Sequence, residues 1–219
     1  MLKSRLLYTT FLCTFIFASS CTGDKKLNNE AVRKEIENRK IKKITEAEIM
    51  TKVHEIGHSI ALETKKTLSK NLRAALGHGG IEHAIGFCNL NAMPLIDSLN
   101  RVFDAEIRRV TLKARNPDDL PDPVEKKILE AYAYQWQDSV PLSSNVQPVD
   151  ENYLFTKPIL IDNALCLSCH GVLGEGLTEA TNGIIKSKYP ADRATGYRIG
   201  DFRGMWSILL SKKKVVQAM

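Results

Sequence analysis

One five-residue segment constrains the structure of this chain more than any other: Cys166-Leu167-Ser168-Cys169-His170. C-x-x-C-H is the attachment signal for c-type haem. Two thiols separated by two residues can form thioethers with the two vinyl groups of one haem, and the adjacent histidine can then bind the iron from one side. The sequence therefore predicts one covalently bound haem c, attached to Cys166 and Cys169, with His170 as an iron ligand.

Two other uses of a C-x-x-C pair compete with haem attachment. A structural zinc site needs four ligands, usually including a second pair at short spacing, and the chain has no second C-x-x-C. A thioredoxin-like redox pair normally begins a helix, whereas Gly171, Gly174 and Gly176 follow this motif and favour a loop. Haem attachment is therefore the better interpretation.

The first twenty residues have the pattern of an export signal. Lys3 and Arg5 precede an apolar run from Leu6 to Phe17. Ala18-Ser19-Ser20 then leads to Cys21, which resembles a bacterial lipobox with Ala18 where the pattern prefers Leu. We expect residues 1–20 to be removed, Cys21 to carry lipid, and the protein to be anchored to a membrane facing the periplasm. An ordinary cleaved signal would instead leave it soluble in the periplasm or secreted. Attachment of c-type haem takes place outside the cytoplasm, which agrees with export.

Charge gives no indication of a nucleic-acid partner. Removal of residues 1–20 lowers the formal net charge from +6 to +4, and the basic residues are dispersed except for Lys212-Lys213-Lys214. A nucleic-acid surface would show clustered basic residues with aromatic residues among them. The length of 219 residues, 43% of them hydrophobic, suits one domain of ordinary size.

Hydrophobic periodicity and turn residues predict an α+β domain over residues 48–219, preceded by a tether and helix start over residues 21–47. The apolar, β-prone run from Tyr153 to Ile161 contains Pro158, which indicates an edge strand there. Glycine-rich loops are expected around residues 171–183. The predicted helices cover residues 49–76, 81–100 and 121–136, and the predicted strands cover residues 106–114, 153–161 and 204–210.

A second motif, His54-Glu55-Ile56-Gly57-His58, has the H-E-x-x-H pattern of zinc proteases. A metzincin also needs glycine and histidine three and six residues further on, where this chain has Ala61 and Thr64. Helical projection places both histidines roughly 130–170° from the centre of the apolar face of the helix. We therefore expect exposed histidines here, with a zinc metalloprotease as a distant alternative.

The residues alone leave the second iron ligand open. Cys88 has no other assigned role, but it lies in the apolar segment Ala84-Ile85-Gly86-Phe87-Cys88, where a buried small hydrophobic residue is an equal alternative. His54 and His58 are less favoured because they point outward. The other candidates are His78, His83, Met50, Met93 and Met205.

An ordered series of motifs resembles a family of bacterial c-type haem domains that was long considered of unknown function and includes soluble cyanobacterial proteins. The resemblance covers roughly residues 48 to 210 and is much more specific than C-x-x-C-H alone. Asp118-Asp119 departs from the family pattern in a turn. The matching segments are Gly79-Gly80, Ala84–Cys88 with Ala92, Arg109-Val110-Thr111, Arg115-Asn116-Pro117, Glu125, Lys157-Pro158-Ile159, Cys166–Gly171, Tyr189–Asp192, Ala194–Tyr197 and Gly200–Gly204.

The resemblance implies a PAS-like fold, in which helices pack around an antiparallel sheet and one covalent haem. It also implies His170 and a cysteine, here Cys88, as the two axial ligands. Haem propionates need cationic or tyrosyl partners. The candidates in family-like segments are Arg109, Arg115, Tyr197 and Arg203.

Such ligation predicts a function in sensing or electron transfer rather than an enzyme. An anionic thiolate stabilises ferric iron and lowers the reduction potential. With both axial positions filled, the iron has no open site for a substrate. We expect redox or small-ligand sensing through exchange of an axial group, or one-electron transfer, with a periplasmic signalling protein or redox protein as partner.

Overall fold

The computed structural model describes residues 29–38 and 43–219. Helix α1 (Asn29–Asn38) belongs to one compact unit, and residues 44–219 form a second unit. The predicted signal segment, the tether residues 21–28 and the lipidation site Cys21 lie outside the described residues.

The second unit is built on one four-stranded antiparallel sheet, which confirms the α+β prediction. The strands are β1 (Glu106–Val110), β2 (Asn145–Val149), β3 (Asn152–Leu160) and β4 (Phe202–Ser211). Their order across the sheet is β1-β4-β3-β2. Strand β4 therefore lies at the centre, although it is the last strand along the chain.

Six helices of the second unit accompany the sheet within the described residues. None of the described helices combines the length and the apolar character that crossing a membrane requires. Their bounds are α2 (Glu46–Leu90), α3 (Ala92–Phe103), α4 (Pro123–Gln137), α5 (Ala164–His170), α6 (Glu179–Lys188) and α7 (Lys212–Gln217).

Helix α2 begins at a capping box, in which the Thr45 hydroxyl accepts from the backbone N–H of Glu48 and the Glu48 carboxylate accepts from that of Thr45. The predicted break at residues 77–80 is confirmed, because Gly79 and Gly80 have non-helical dihedral angles. Gly80 has φ +67°, a conformation that glycine adopts without strain. The break divides α2 into a long segment, residues 46–78, which packs on the sheet, and a short segment, residues 81–90, which carries Cys88; we call these segments the first and second halves of α2.

The two faces of the sheet are covered by different helices. On one face, Val53 and Ile60 of α2 pack against Phe155 and Ile208. On the other face, α4 contributes Ile128, Leu129 and Tyr132, which pack with Val110, Leu154 and Met205. Neighbouring residues of β3 and β4 therefore alternate between two cores, as the pleat of a strand requires.

Two predicted elements are wrong in detail. β3 is an interior strand, paired with both β2 and β4, but β2 pairs only as far as Thr156, so Pro158 lies where one side of β3 is unpaired. The helix predicted over residues 81–100 is two helices that meet at Asn91. Pro94 falls in the first turn of α3, where a missing backbone N–H leaves no helical hydrogen bond unmade.

Candidate haem site

The C-x-x-C-H motif forms the short helix α5, in which Cys166, Cys169 and His170 are all half-buried. The expectation of a loop at the motif is wrong, since the glycines only begin where this helix ends. The N–H of Gly171 donates to the Leu167 carbonyl at 2.9 Å, and a Cβ at position 171 would lie 2.5 Å from that oxygen. Both thiols are free. The helix therefore presents two cysteines one turn apart, with the histidine adjacent to the second.

The imidazole of His170 has one nitrogen engaged by the protein. Nδ1 lies 2.7 Å from the Ala194 carbonyl oxygen, which can only accept, so Nδ1 carries the proton. Burial lowers the pKa of His170 well below its ordinary value, and the nearby charges of Arg203 and Arg115 lower it further. A neutral imidazole with Nδ1–H bonded to a carbonyl keeps the Nε2 lone pair for a metal. The geometry is therefore that of a histidine whose Nε2 can act as a metal ligand.

Tyr197 packs behind the motif histidine. Its ring lies edge-on to the His170 ring, with centroids 6.4 Å apart and planes at 87°. Its backbone N–H donates to the His170 carbonyl at 3.0 Å, and the guanidinium of Arg203 lies over its ring, 5.4 Å from the centroid. Tyr197 is buried, with 7% of its surface exposed. Its ring therefore packs against one side of the imidazole and restricts its position.

Cys88 lies on the second half of α2, which packs on α6, as does the motif helix α5. Ile85, one turn before Cys88, is buried against Leu177, Ile185 and Tyr189, and Cys169 packs against the same cluster. Desolvation by burial raises the pKa of the Cys88 thiol, although the residue as a whole is exposed, and the charges of Arg109 and Arg115 oppose that rise. Cys88 also acts on the pKa of Cys169. The fold thus brings Cys88 close to the motif from a part of the chain about 80 residues away.

The alternative axial ligands have other surroundings. Met205 is fully buried in the core beneath α4, and Met50 packs against the core beneath α2. His78, His83 and Met93 are exposed. His83 packs against Gly79 at the break in α2.

The candidate propionate partners differ in how much of each side chain is already engaged. Arg109 pairs with Asp119 at 3.1 Å, but 46% of its side chain remains exposed. Arg203 donates to the Thr111 hydroxyl at 2.8 Å and stacks over the Tyr197 ring at 5.4 Å. Both arginines lie near enough to Cys88 or His170 to change their pKa values.

Arg115 and Asp192 form an ion pair at 3.1 Å, with side chains that are 11% and 6% exposed. Arg115 also donates to the Cys169 carbonyl at 2.6 Å. Asp192 accepts from the N–H of Ala194 at 3.0 Å. The sequence reasoning placed Asp192 in a family-like segment but assigned it no role, because an acidic residue 77 positions from its partner carries no local signal of pairing.

His54 and His58 of the H-E-x-x-H motif lie on the first half of α2. Their rings stack at 6.1 Å, and His54 Nε2 lies 2.7 Å from the Ser144 hydroxyl. His58 Nδ1 lies 3.1 Å from the Lys157 amine, whose charge is the main reason that the pKa of His58 is lowered. Within residues 29–38 and 43–219, no three His, Cys, Asp or Glu side chains are grouped to hold a metal ion.

Comparison with known proteins identifies one family. The model of the family described as "Tll0287-like: Tll0287" matches residues 27–211. Among solved structures, the chain is similar to the crystal structure of the cyanobacterial haem protein Tll0287, with 23% sequence identity and a TM-score of 0.47. That match covers 69% of this chain and 94% of the cyanobacterial chain. No match was found among curated proteins.

Proposed function

The chain belongs to the Tll0287-like family, and we propose that it is an exported monohaem c-type cytochrome with His170 and Cys88 as axial ligands of the iron. The observation that carries this proposal is the state of His170: a neutral imidazole, with Nδ1–H on the Ala194 carbonyl, directly after two free cysteines on one short helix. That donor set fits a covalently attached haem, since it supplies two thiols for thioethers and one nitrogen lone pair for iron.

Within this proposal each residue has a defined task. Cys166 and Cys169 form the thioethers, and His170 binds the iron through Nε2. Cys88 would supply a thiolate to the iron, and its thiol would have to give up its proton to do so, since burial raises the pKa of this thiol in the protein without a metal. Arg109 and Arg203 are the cations with the geometry to meet propionates. A haem held in this way supplies one-electron chemistry between ferric and ferrous iron, with the thiolate favouring ferric.

The proposed role is sensing of redox state or of a small ligand through exchange of the Cys88 ligand. With His170 and Cys88 both holding the iron at rest, a small ligand would reach it only when one of these two groups leaves. Cys88 lies on the half of α2 that is separated from the sheet-bound half by Gly79 and Gly80. This separation supports Cys88, rather than His170, as the group that leaves. Such a cytochrome is not an enzyme and needs a periplasmic signalling partner.

A second candidate is one-electron transfer to a periplasmic redox protein. The observation that favours it is the exposure of Leu165 and Leu173, which flank the motif and are 39% and 43% exposed. Apolar side chains around the point of haem attachment provide a surface on which a redox partner can dock.

Location forms the remaining part of the proposal. The signal pattern of residues 1–20 and the lipobox-like segment ending in Cys21 support export and a lipid anchor. The protein would then face the periplasm from a membrane, and without lipid on Cys21 it would be soluble in the periplasm or secreted.

Absorption and EPR spectra of Cys88→Ala test the axial ligand, with His83→Ala on the same half of α2 as the control. The proteins are produced in a host that matures c-type cytochromes. We expect the wild type and the control to show a low-spin ferric haem with thiolate features, and Cys88→Ala to lose those features. An unchanged Cys88→Ala spectrum would exclude Cys88 as an iron ligand and overturn the ligand set.

Carbon monoxide and nitric oxide distinguish the two roles. In the sensing role, either gas displaces the Cys88 ligand in the ferrous wild-type protein and produces a new six-coordinate spectrum. In the carrier role, neither gas binds, and a periplasmic donor reduces the protein rapidly. Failure of both gases to bind would remove the support for gas sensing.

A further inference from the structure

Arg115 and Asp192 lie beside the motif helix as a buried pair, and the geometry points to a task other than binding propionates. Arg115 uses its guanidinium on three protein oxygens: Asp192 Oδ1 at 3.1 Å from Nε, the Cys169 carbonyl at 2.6 Å and the Ala194 carbonyl at 3.5 Å from the same terminal nitrogen. Its side chain is 11% exposed. Little of this guanidinium is therefore left for an external anion.

The hydrogen bonds of Arg115 and Asp192 connect this pair to Nδ1 of His170 through the backbone of Ala194. Asp192 Oδ1 accepts from Arg115 and also from the N–H of Ala194 at 3.0 Å, so the carboxylate fixes the backbone of Ala194. The carbonyl of that same residue accepts from Nδ1 of His170 at 2.7 Å. On its other side, Arg115 holds the carbonyl of Cys169, the residue before the histidine. The guanidinium of Arg115 therefore contacts the carbonyl of the residue before His170 directly. Through Asp192 it also holds the backbone of Ala194, whose carbonyl accepts from the imidazole.

We propose that Arg115 and Asp192 are positioning residues for the axial histidine, which set the direction and strength of the hydrogen bond from His170 Nδ1 to Ala194. This inference rests on the proposed function. A hydrogen bond from Nδ1–H to a carbonyl makes an imidazole a stronger donor to its metal and fixes its rotation. The pair then controls both the reduction potential and the angle of the imidazole plane above the haem.

Arg115→Lys separates positioning from charge. Lysine keeps the positive charge but is a point donor, and it cannot reproduce the planar fork that contacts Asp192 and two carbonyls together. If Arg115 acts only through its charge, this variant keeps the wild-type potential. If Arg115 positions His170, the reduction potential of the variant rises, because a looser Nδ1 hydrogen bond weakens the donor, and its low-spin EPR signal broadens or splits as the ring takes more than one angle.

The control is Arg198→Lys, which changes an equivalent arginine–carboxylate pair whose side chains, those of Arg198 and Glu175, are 65% and 60% exposed. We expect the control to keep the wild-type potential and EPR signal. Asp192→Asn is the second variant, because it keeps the shape of the side chain and removes its charge. We expect it to change both readings in the same direction as Arg115→Lys.

Each result decides the question. If the wild-type protein matures without covalent haem, the proposed function fails, and this inference fails with it. If the wild type holds haem but Arg115→Lys gives the wild-type potential and EPR signal, the positioning role alone is overturned. If neither variant folds, hydrogen exchange of the Ala194 amide in the wild-type protein decides: we expect strong protection, and exchange at the rate of an open loop would overturn the role.

Discussion

Substitution of Gly57 by alanine tests how the first half of α2 is seated on the sheet. A Cβ on Gly57 would overlap Cγ of Phe155 and lie 2.6 Å from its Cδ1 and 2.7 Å from its Cβ, and Phe155 is fully buried. Carbon atoms in contact are normally about 3.5–4.0 Å apart, so the helix would have to move away from β3. Overpacking of this kind costs about 1–3 kcal/mol, and in a protein of this size each kcal/mol lowers Tm by roughly 2–4 °C.

Urea unfolding of the mature protein, followed by circular dichroism, measures this cost. Gly77→Ala is the matched control, because it makes the same substitution in the same helix at a position where a Cβ meets nothing within 4 Å. We expect Gly57→Ala to lower the free energy of unfolding and Gly77→Ala to raise it by about 0.5–1 kcal/mol. Gly57→Ala with wild-type stability would refute the contact between α2 and Phe155.

Three further variants test other parts of the structure. Gly204→Ala should destabilise the protein by more than about 1 kcal/mol in the same urea assay, because φ is +156° and a Cβ would lie 2.5 Å from the Val110 carbonyl; wild-type stability would contradict this backbone geometry. Tyr132→Phe should cost about 1–3 kcal/mol, since it removes the 3.0 Å hydrogen bond to the buried Thr156 hydroxyl, and a cost near zero would mean that this bond is not made. Metal analysis of His54→Ala should give the same iron content as the wild type and no zinc in either protein; zinc that is lost from the variant would restore the protease interpretation.

Much of the fold follows from local patterns. The break at the paired glycines 79 and 80 and Pro123 at the start of α4 are signals that lie within a few residues of the feature they define. The strand predicted over residues 204–210 lies within β4, which runs from Phe202 to Ser211. Strong local signals therefore gave correct elements with small errors at their ends.

The parts that sequence reasoning missed depend on distant partners. β2 contains Pro148 and has only five residues, so it becomes a strand because it pairs with the start of β3. The helix α6 includes Gly183 and lies where glycine-rich loops were expected. Its helical form is stabilised by Ile185, which is buried against Ile85 of α2. No sequence pattern within either segment predicts those contacts.

The candidate site shows the same division. The motif predicts Cys166, Cys169 and His170 as the haem-attachment residues without any structure, because the chemistry of haem attachment fixes their spacing. Arg115 was predicted as a candidate propionate partner, and the structure adds that its guanidinium contacts Asp192 and two backbone carbonyls. Burial and the direction of an arginine side chain are tertiary properties, so a sequence indicates that the residue is near the site but not which atoms it contacts.

The most direct test of the central claim is the intact mass of the wild-type protein, made in a host that matures c-type cytochromes, beside a variant with both Cys166 and Cys169 changed to alanine. We predict that the denatured wild-type polypeptide carries the added mass of one haem and that the double variant carries none. A denatured wild-type polypeptide without added haem mass, despite a host that attaches haem to other C-x-x-C-H proteins, would contradict the claim.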